Sequence, residues 1–150
     1  MKTDVSTLCI VAASSIRQAI DCIEHSVAKI ALVVDDEKRL LDTITDGDIR
    51  RAILSGIDLD THVANLRGRK GKNSRYRQAI TAPKGTKKSV LLSLMKQRDI
   101  RHIPLVDAQQ SVVGLVTLRE LIADDTLPIQ AVVMAGGSGT RLRPLTEDLP

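Results

Sequence analysis

Aromatic side chains are nearly absent from this 150-residue chain: they make up 1% of it, and Tyr76 stands alone without any Phe or Trp. Proteins that bind single-stranded nucleic acids commonly stack bases on aromatic side chains, so this mode of binding has almost no residues to use. The core must be aliphatic instead. A hydrophobic fraction of 43% is sufficient for a globular fold at this length.

Cysteine and long hydrophobic runs are also scarce. The two cysteines, Cys9 and Cys22, cannot form a disulfide framework, and neither they nor the scattered histidines have the spacing of metal ligands. No apolar run reaches the roughly 18 residues of a membrane span. The N-terminus lacks the charged and apolar regions of a signal peptide. We therefore expect a cytoplasmic protein with no metal site and no membrane contact.

The positive charge is local. Six bases fall between Arg67 and Arg77 with no acid among them, and without these six the net charge of +4 becomes −2. Such a run is typical of a solvated connector, and a phosphate or nucleic-acid contact is the alternative. We favour the connector and expect no nucleic-acid partner.

One pattern occurs twice. LLDTITDGDIRRAI, residues 40–53, recurs as SVVGLVTLRELIAD, residues 111–124, and the equivalent threonines Thr45 and Thr117 are 72 positions apart. Each copy has an apolar run, a threonine (Thr45 or Thr117), and an acid three residues later (Asp48 or Glu120). Because the preceding apolar runs also align at this offset, the chain is predicted to contain one structural unit twice.

Each unit has the pattern of a strand, a helix, a hairpin and a second helix. In the first, residues 8–13 form a strand, Ser14 caps a helix, 29–34 and 40–45 form the hairpin, and Thr45 or Asp46 caps a helix that ends at Gly56. In the second, the strand is 78–82, Thr86 is the cap, the hairpin is 101–106 with 111–117, and the helix is 118–123. The predicted divisions are 1–60, a basic connector 61–77, 78–125, and a separate tail 126–150.

These units resemble CBS domains, and the pair resembles a Bateman module. The family signature is an apolar strand, Gly, two apolar residues, Ser or Thr, and Asp three residues later. The second unit has Gly114 to Thr117 with Glu120, and the first has Asp42 to Thr45 with Asp48. Over about residues 5–125, the resemblance implies an α/β (α+β) fold in which two β-α-β-β-α repeats pack as a pseudo-two-fold pair.

The strand-to-helix junctions are the candidate binding positions. Backbone N–H groups and the helix dipole favour an anion there, and a carboxylate one turn later can accept ribose hydroxyls, as in other nucleotide sites. The alternative is that Thr45 and Thr117 are only helix caps and that the two acids are first-turn residues that suit the dipole.

The resemblance implies that the clefts between the repeats bind AMP, ADP, ATP or S-adenosylmethionine. It also implies that each acid faces the hairpin of the other repeat, and Lys29 and Arg101 are then the expected phosphate partners. The two expected groups are Thr45, Asp48, Arg101 and His102, and Thr117, Glu120, Lys29 and Ile30. Two departures from the family pattern bear on the clefts: the charge of Asp42, in place of Gly, disfavours a phosphate near the first, and the longer side chain of Glu120, in place of Asp, fits the ribose of the second less well. We favour the Thr45/Asp48 cleft and keep both as candidates.

After Asp125 the pattern changes to a buried-strand run, IQAVVMA, and then GGSGTRLRPLT. This stretch resembles the N-terminal signature of sugar nucleotidyltransferases, which join an NTP to a sugar 1-phosphate. Glycines let the backbone approach the triphosphate, and Arg141 can neutralise charge on the leaving pyrophosphate. The resemblance implies NTP-binding residues and a Mg²⁺ requirement for the catalytic domain. The implied residues are Gly136, Gly137, Gly139, Thr140 and Arg141.

A catalytic fold of this kind needs on the order of 200 residues, so we expect no catalytic residue and no activity in these 150. The leading hypothesis is a nucleotide-sensing module that regulates a nucleotidyltransferase. The alternatives are a passive dimerisation platform and a polyanion-binding connector. Apolar residues on more than one face of the helices after each hairpin predict a homodimer.

Overall fold

The computed structural model describes residues 5–67 and 79–123, and within these ranges the predicted pair of repeats is confirmed. The first repeat comprises a 3-10 turn at Val5–Leu8, β1 (Cys9–Val11), α1 (Ile16–His25), β2 (Ile30–Val34), β3 (Leu40–Thr45) and α2 (Asp46–Leu54), followed by α3 (Ala64–Arg67). The second repeat comprises β4 (Ala82–Pro83), α4 (Lys88–Arg98), β5 (His102–Val106), β6 (Val112–Thr117) and α5 (Leu118–Ala123).

Each repeat has a three-stranded sheet with the same topology. The first strand pairs in parallel with the second, and the second pairs antiparallel with the third. Both hairpins have a register shift at the same place, between Val33 and Val34 and between Leu105 and Val106. The offset of 72 residues seen in the sequence is therefore kept in the strand pairing.

Two predicted helix caps were wrong. Helix α1 is capped by Ser15, whose hydroxyl accepts from the Gln18 amide at 3.2 Å while its own amide donates to Gln18 Oε1 at 2.8 Å. This reciprocal capping box explains the one-residue shift. Helix α4 begins after Lys87, and the Thr86 hydroxyl donates instead to the carbonyl of Pro83 at 2.7 Å.

Strand β4 is shorter than predicted. It covers Ala82–Pro83, whereas the sequence predicted residues 78–82, of which residue 78 lies outside the described ranges. Proline has no N–H for a sheet ladder, and the chain turns directly afterwards at Gly85, where φ is +89°.

The first repeat is closed by residues that the sequence analysis had counted as connector. Val63 and Leu66 are 1% and 6% exposed and join the core formed by α1, α2 and the sheet. The Val63 amide donates to the carbonyl of Ser14 at 2.8 Å. The chain through Leu66 is therefore packed onto repeat 1.

The repeats share a second apolar cluster. Leu115 of the second repeat packs with Leu8, Ala28, Ile30 and Leu32 of the first, and Val112 and Leu40 lie at its edge. One sheet therefore covers the apolar face of the other, as the repeat pattern predicted.

Candidate functional site

Thr45 and Asp48 form a tight pair where β3 runs into α2. Thr45 is the N-cap of α2, and both its amide and its hydroxyl donate to Asp48 Oδ2, at 2.9 and 2.8 Å. The apolar strand ends at this threonine, and the acid lies one turn into the helix. The carboxylate is consequently held in one orientation, with a side chain only 14% exposed.

The other carboxylate oxygen of this pair binds a cation. Arg51 Nη2 donates to Asp48 Oδ1 at 2.7 Å, and the arginine side chain is 66% exposed. The sequence analysis missed Arg51 because its equivalent in the second repeat is Ala123. The i,i+3 spacing of an acid and a base on one helix was the signal that could have found it.

A cavity of about 320 Å³ opens beside this pair. Its apolar lining comes from β3, α2 and the chain that follows α2, and its polar lining comes from α2 and the C-cap of that helix. The apolar residues are Ile44, Ala52, Ile57 and Leu66, and the polar ones are Asp48, Arg51 and Ser55. An apolar surface flanked by a carboxylate and a guanidinium suits a ligand that has a flat apolar part, hydroxyl groups and an anion.

The second repeat repeats the pair in a more open setting. The Thr117 amide and hydroxyl donate to Glu120 Oε2 at 2.9 and 3.0 Å, and the Glu120 amide donates back to the Thr117 hydroxyl at 3.2 Å. Glu120 is exposed, whereas Asp48 is not. Both acids therefore accept hydrogen bonds from the threonine three residues before them, but only Asp48 is largely shielded from solvent.

The four predicted partners from the hairpins lie at the bases of β2 and β5. Ile30 is buried opposite Thr45, and His102 lies opposite Thr117. Lys29 has φ of +53° and its Nζ donates to the carbonyl of Glu24 at 2.7 Å. Ile30 and Thr45 belong to the same repeat, as do His102 and Thr117. The grouping of each acid with the hairpin of the other repeat therefore stays a prediction.

His102 connects the two repeats. Its ring is within hydrogen-bonding reach of the backbone of Ala28, two residues before β2 begins. Burial of the imidazole lowers the pKa of His102, the nearby Arg101 charge lowers it further, and the bond to Ala28 opposes both. The bases of the two hairpins therefore meet, with His102 favoured in its neutral form.

Asp42, which replaces the family's glycine, is turned into the fold. It is 3% exposed, and its Oδ1 accepts from the Thr43 amide at 2.7 Å. At the equivalent Gly114, an added Cβ would lie 3.3 Å from Leu105 Cδ1. The carboxylate of Asp42 is thus bonded to its own strand.

The predicted NTP-binding residues Gly136, Gly137, Gly139, Thr140 and Arg141 lie outside the described residues. Among the helices of residues 5–67 and 79–123, none is long and apolar enough to cross a membrane.

Comparison with known proteins places this geometry in a family. The CBS domain model matches residues 1–55 and 76–124, and a nucleotidyl transferase model matches residues 130–150. A protein of Rickettsia prowazekii is 34% identical over 93 residues, which are 61% of this chain and 26% of that protein. The chain thus spans about a quarter of the length of such curated relatives.

Solved structures share the fold at low identity. A CBS domain protein from Pyrobaculum aerophilum complexed with AMP is 20% identical with a TM-score of 0.63, over 80% of this chain and 89% of that one. The CBS domain pair of protein MJ0100, in complex with 5′-methylthioadenosine and S-adenosyl-L-methionine, is 24% identical with a TM-score of 0.62, over 78% and 88%. Together with the repeat, the strand register and the family match over most of its length, these likenesses show that the chain belongs to the CBS domain family as a tandem pair.

Proposed function

We propose that this CBS pair is a regulatory unit that binds an adenine nucleotide in the cleft of the first repeat. The observation that carries the proposal is the Asp48 carboxylate, fixed by Thr45 and lining a cavity with an apolar surface. An oriented carboxylate of this kind can accept hydrogen bonds from both hydroxyls of a ribose.

The other parts of such a ligand also find suitable groups. Helix α2 is nine residues long, and the amides of its first turn favour a phosphate. The aliphatic residues Ile44, Ile57 and Leu66, which line the cavity, offer dispersion contacts to a purine. Arg101 remains our proposed phosphate partner in this cleft, and Lys29 in the Thr117/Glu120 cleft, because both are exposed bases at the hairpin starts.

The ligands of the structural neighbours support the choice of an adenosine-type ligand. One neighbour is complexed with AMP and another with 5′-methylthioadenosine and S-adenosyl-L-methionine. For this chain the same ligand class is a proposal, and it agrees with the arrangement of hydroxyl-binding and anion-binding groups around Asp48.

We also propose that the bound nucleotide regulates a sugar nucleotidyltransferase joined to the module. The support is the match of residues 130–150 to the nucleotidyl transferase model and the sequence GGSGTRLRPLT within it. In that domain Mg²⁺ would neutralise the triphosphate during transfer to a sugar 1-phosphate.

Two other functions compete with nucleotide sensing. A homodimer could form through the exposed side chains Ile53, Leu54 and Ile122 on α2 and α5, which are 51%, 81% and 58% exposed. If such a dimer bound no ligand, the module would be a passive dimerisation platform for the nucleotidyltransferase. Polyanion binding through the basic residues 67–77 is the second competitor, and it would weaken steeply with salt.

Calorimetric titration with AMP, ADP, ATP and S-adenosylmethionine tests the proposal. We expect saturable binding that Asp48→Asn weakens by about 1–3 kcal/mol through lost charged hydrogen bonds. Asp46→Asn is the matched control, because Asp46 is an exposed acid in the same helical turn. Glu120→Gln should have the smaller effect of the two cleft acids. Equal affinity in wild type and Asp48→Asn would place the ligand elsewhere.

A further inference from the structure

The guanidinium of Arg51 lies over the first turn of α2. Its Nη2 is 2.7 Å from Asp48 Oδ1, and its Nη1 is 3.4 Å from the position that a Cβ of residue 47 would occupy. Helical side chains lean toward the N-terminus of their helix, and the glycine leaves space for this one to do so. The positive group is therefore placed where the amides of α2 already favour an anion.

This cation also lines the cavity that Asp48 lines. A ligand held by this carboxylate in the cavity therefore lies beside the guanidinium as well. The guanidinium has five N–H donors in a planar fork that matches a phosphate, and the bond to Asp48 uses one. With 66% of the arginine side chain exposed, a ligand can reach the group.

The second repeat lacks the same arrangement. Its residue at the position of Arg51 is Ala123, and its nearest base, Arg119, precedes the acid instead of following it by one turn. The base one turn after the acid, Arg51, thus has no equivalent at the same position of the second repeat.

We propose that Arg51 makes the first cleft selective for adenine nucleotides that carry a 5′-phosphate, against neutral adenosine and cationic S-adenosylmethionine. The inference rests on the proposed function, because Asp48 must hold the ribose. A phosphate gains a charge-assisted bond from the guanidinium, whereas a sulfonium at the same place is repelled.

The competing interpretation is that Arg51 only supports the helix. An exposed ion pair at i,i+3 contributes little to stability, and its loss would alter the binding of all adenosine ligands to the same extent. The two interpretations therefore differ in whether the effect of substitution depends on the charge of the ligand.

Calorimetric titration of the chain with AMP and with adenosine separates them. Arg51→Gln should weaken AMP binding by about tenfold or more, the value of a charged hydrogen bond, and leave adenosine within about twofold. Arg51→Lys should recover part of the AMP affinity because the charge is kept. Arg50→Gln is the matched control: it removes an equal charge from an exposed neighbour that lies about 100° away around the helix.

The outcomes are distinct. Parallel losses for AMP and adenosine in Arg51→Gln, or no loss for either, would overturn the selectivity assigned to Arg51. Wild-type affinity for adenosine equal to that for AMP would overturn it as well, while the proposed function stands. Wild type that binds neither ligand would overturn the proposed function and this inference together.

Discussion

Arg39 and Ser111 form an antiparallel bridge between the hairpin turns of the two repeats. The two positions are equivalent, since they are 72 residues apart, so the pseudo-two-fold axis passes between them. Two equivalent backbone hydrogen bonds flank the bridge. The Leu40 amide donates to the carbonyl of Gln110 at 3.1 Å, and the Val112 amide donates to the carbonyl of Lys38 at 3.0 Å. The hairpin turns of the two repeats thus contact each other through backbone hydrogen bonds. This explains why the side chains of the two turns can differ.

The turns should tolerate glycine where the backbone is left-handed. Lys38 and Gln110 have φ of +61° and +65°, a conformation that costs a non-glycine residue roughly 1–2 kcal/mol. Glycine removes this cost but adds about 0.5–1 kcal/mol of backbone entropy. Gln110→Gly should therefore leave the free energy of unfolding unchanged or raise it by up to about 1.5 kcal/mol, measured by urea denaturation.

The neighbouring Gln109 provides the control for that measurement. It is exposed and is not among the left-handed residues, so Gln109→Gly should lose about 0.5–1 kcal/mol. A loss of the same size in Gln110→Gly would contradict the role given to the left-handed turn.

Packing between the repeats should depend on Leu115. This residue is 8% exposed and contacts the apolar cluster of the first repeat. Leu115→Ala should cost about 2–5 kcal/mol of unfolding free energy through lost transfer energy and a cavity. Val113→Ala, on the same strand but 38% exposed, should cost clearly less. Denaturant midpoints would test this, and similar costs for both variants would rule out the inter-repeat cluster.

His102 should make stability sensitive to mild acid. Burial lowers its pKa in the folded state below its usual value, so the unfolded chain binds more protons in the window below about pH 6.5. The free energy of unfolding therefore falls as the pH falls through that window. His102→Gln should reduce the slope of unfolding free energy against pH. Urea denaturation between about pH 7.5 and 5.5 measures it, with His62→Gln at an exposed position as control. An unchanged slope in His102→Gln would contradict the assignment.

The proposed dimer predicts a mass change on adding charge to the exposed apolar helix residues. Leu54→Glu, at a side chain 81% exposed, should shift sedimentation equilibrium at micromolar concentration from dimer to monomer, because a buried unpaired charge is costly at an interface. Val27→Glu, 82% exposed on the turn after α1, is the control. A wild-type chain of monomer mass would refute the dimer.

Much of the fold could be predicted from the sequence because the same pattern of residues occurs in both repeats. The runs before Thr45 and Thr117, each followed by an acid three residues later, predicted β3 and the start of α5 at the observed residues, and β6 and the start of α2 to within one residue. Local rules suffice there, because strand alternation, turn residues and capping act over a few positions.

The cap of α1 and the length of β4 were less predictable. Ser14 and Ser15 are both suitable caps, and only the reciprocal bond with Gln18 decides between them. Residues Val63 and Leu66 appeared in the sequence as a small apolar cluster within a polar stretch. Their burial against repeat 1 depends on long-range contacts that no local pattern records.

For the candidate site, the sequence by itself determined the pairing of a threonine with an acid three residues later: Thr45 with Asp48, and Thr117 with Glu120. Only the tertiary structure decided that the two sites differ. The carboxylate of Asp48 is enclosed by Arg51 and a cavity whose walls come from distant segments, while Glu120 is exposed. The physical reason is that pattern fixes the direction of a side chain along its element, whereas burial and charge at a site depend on which elements pack beside it.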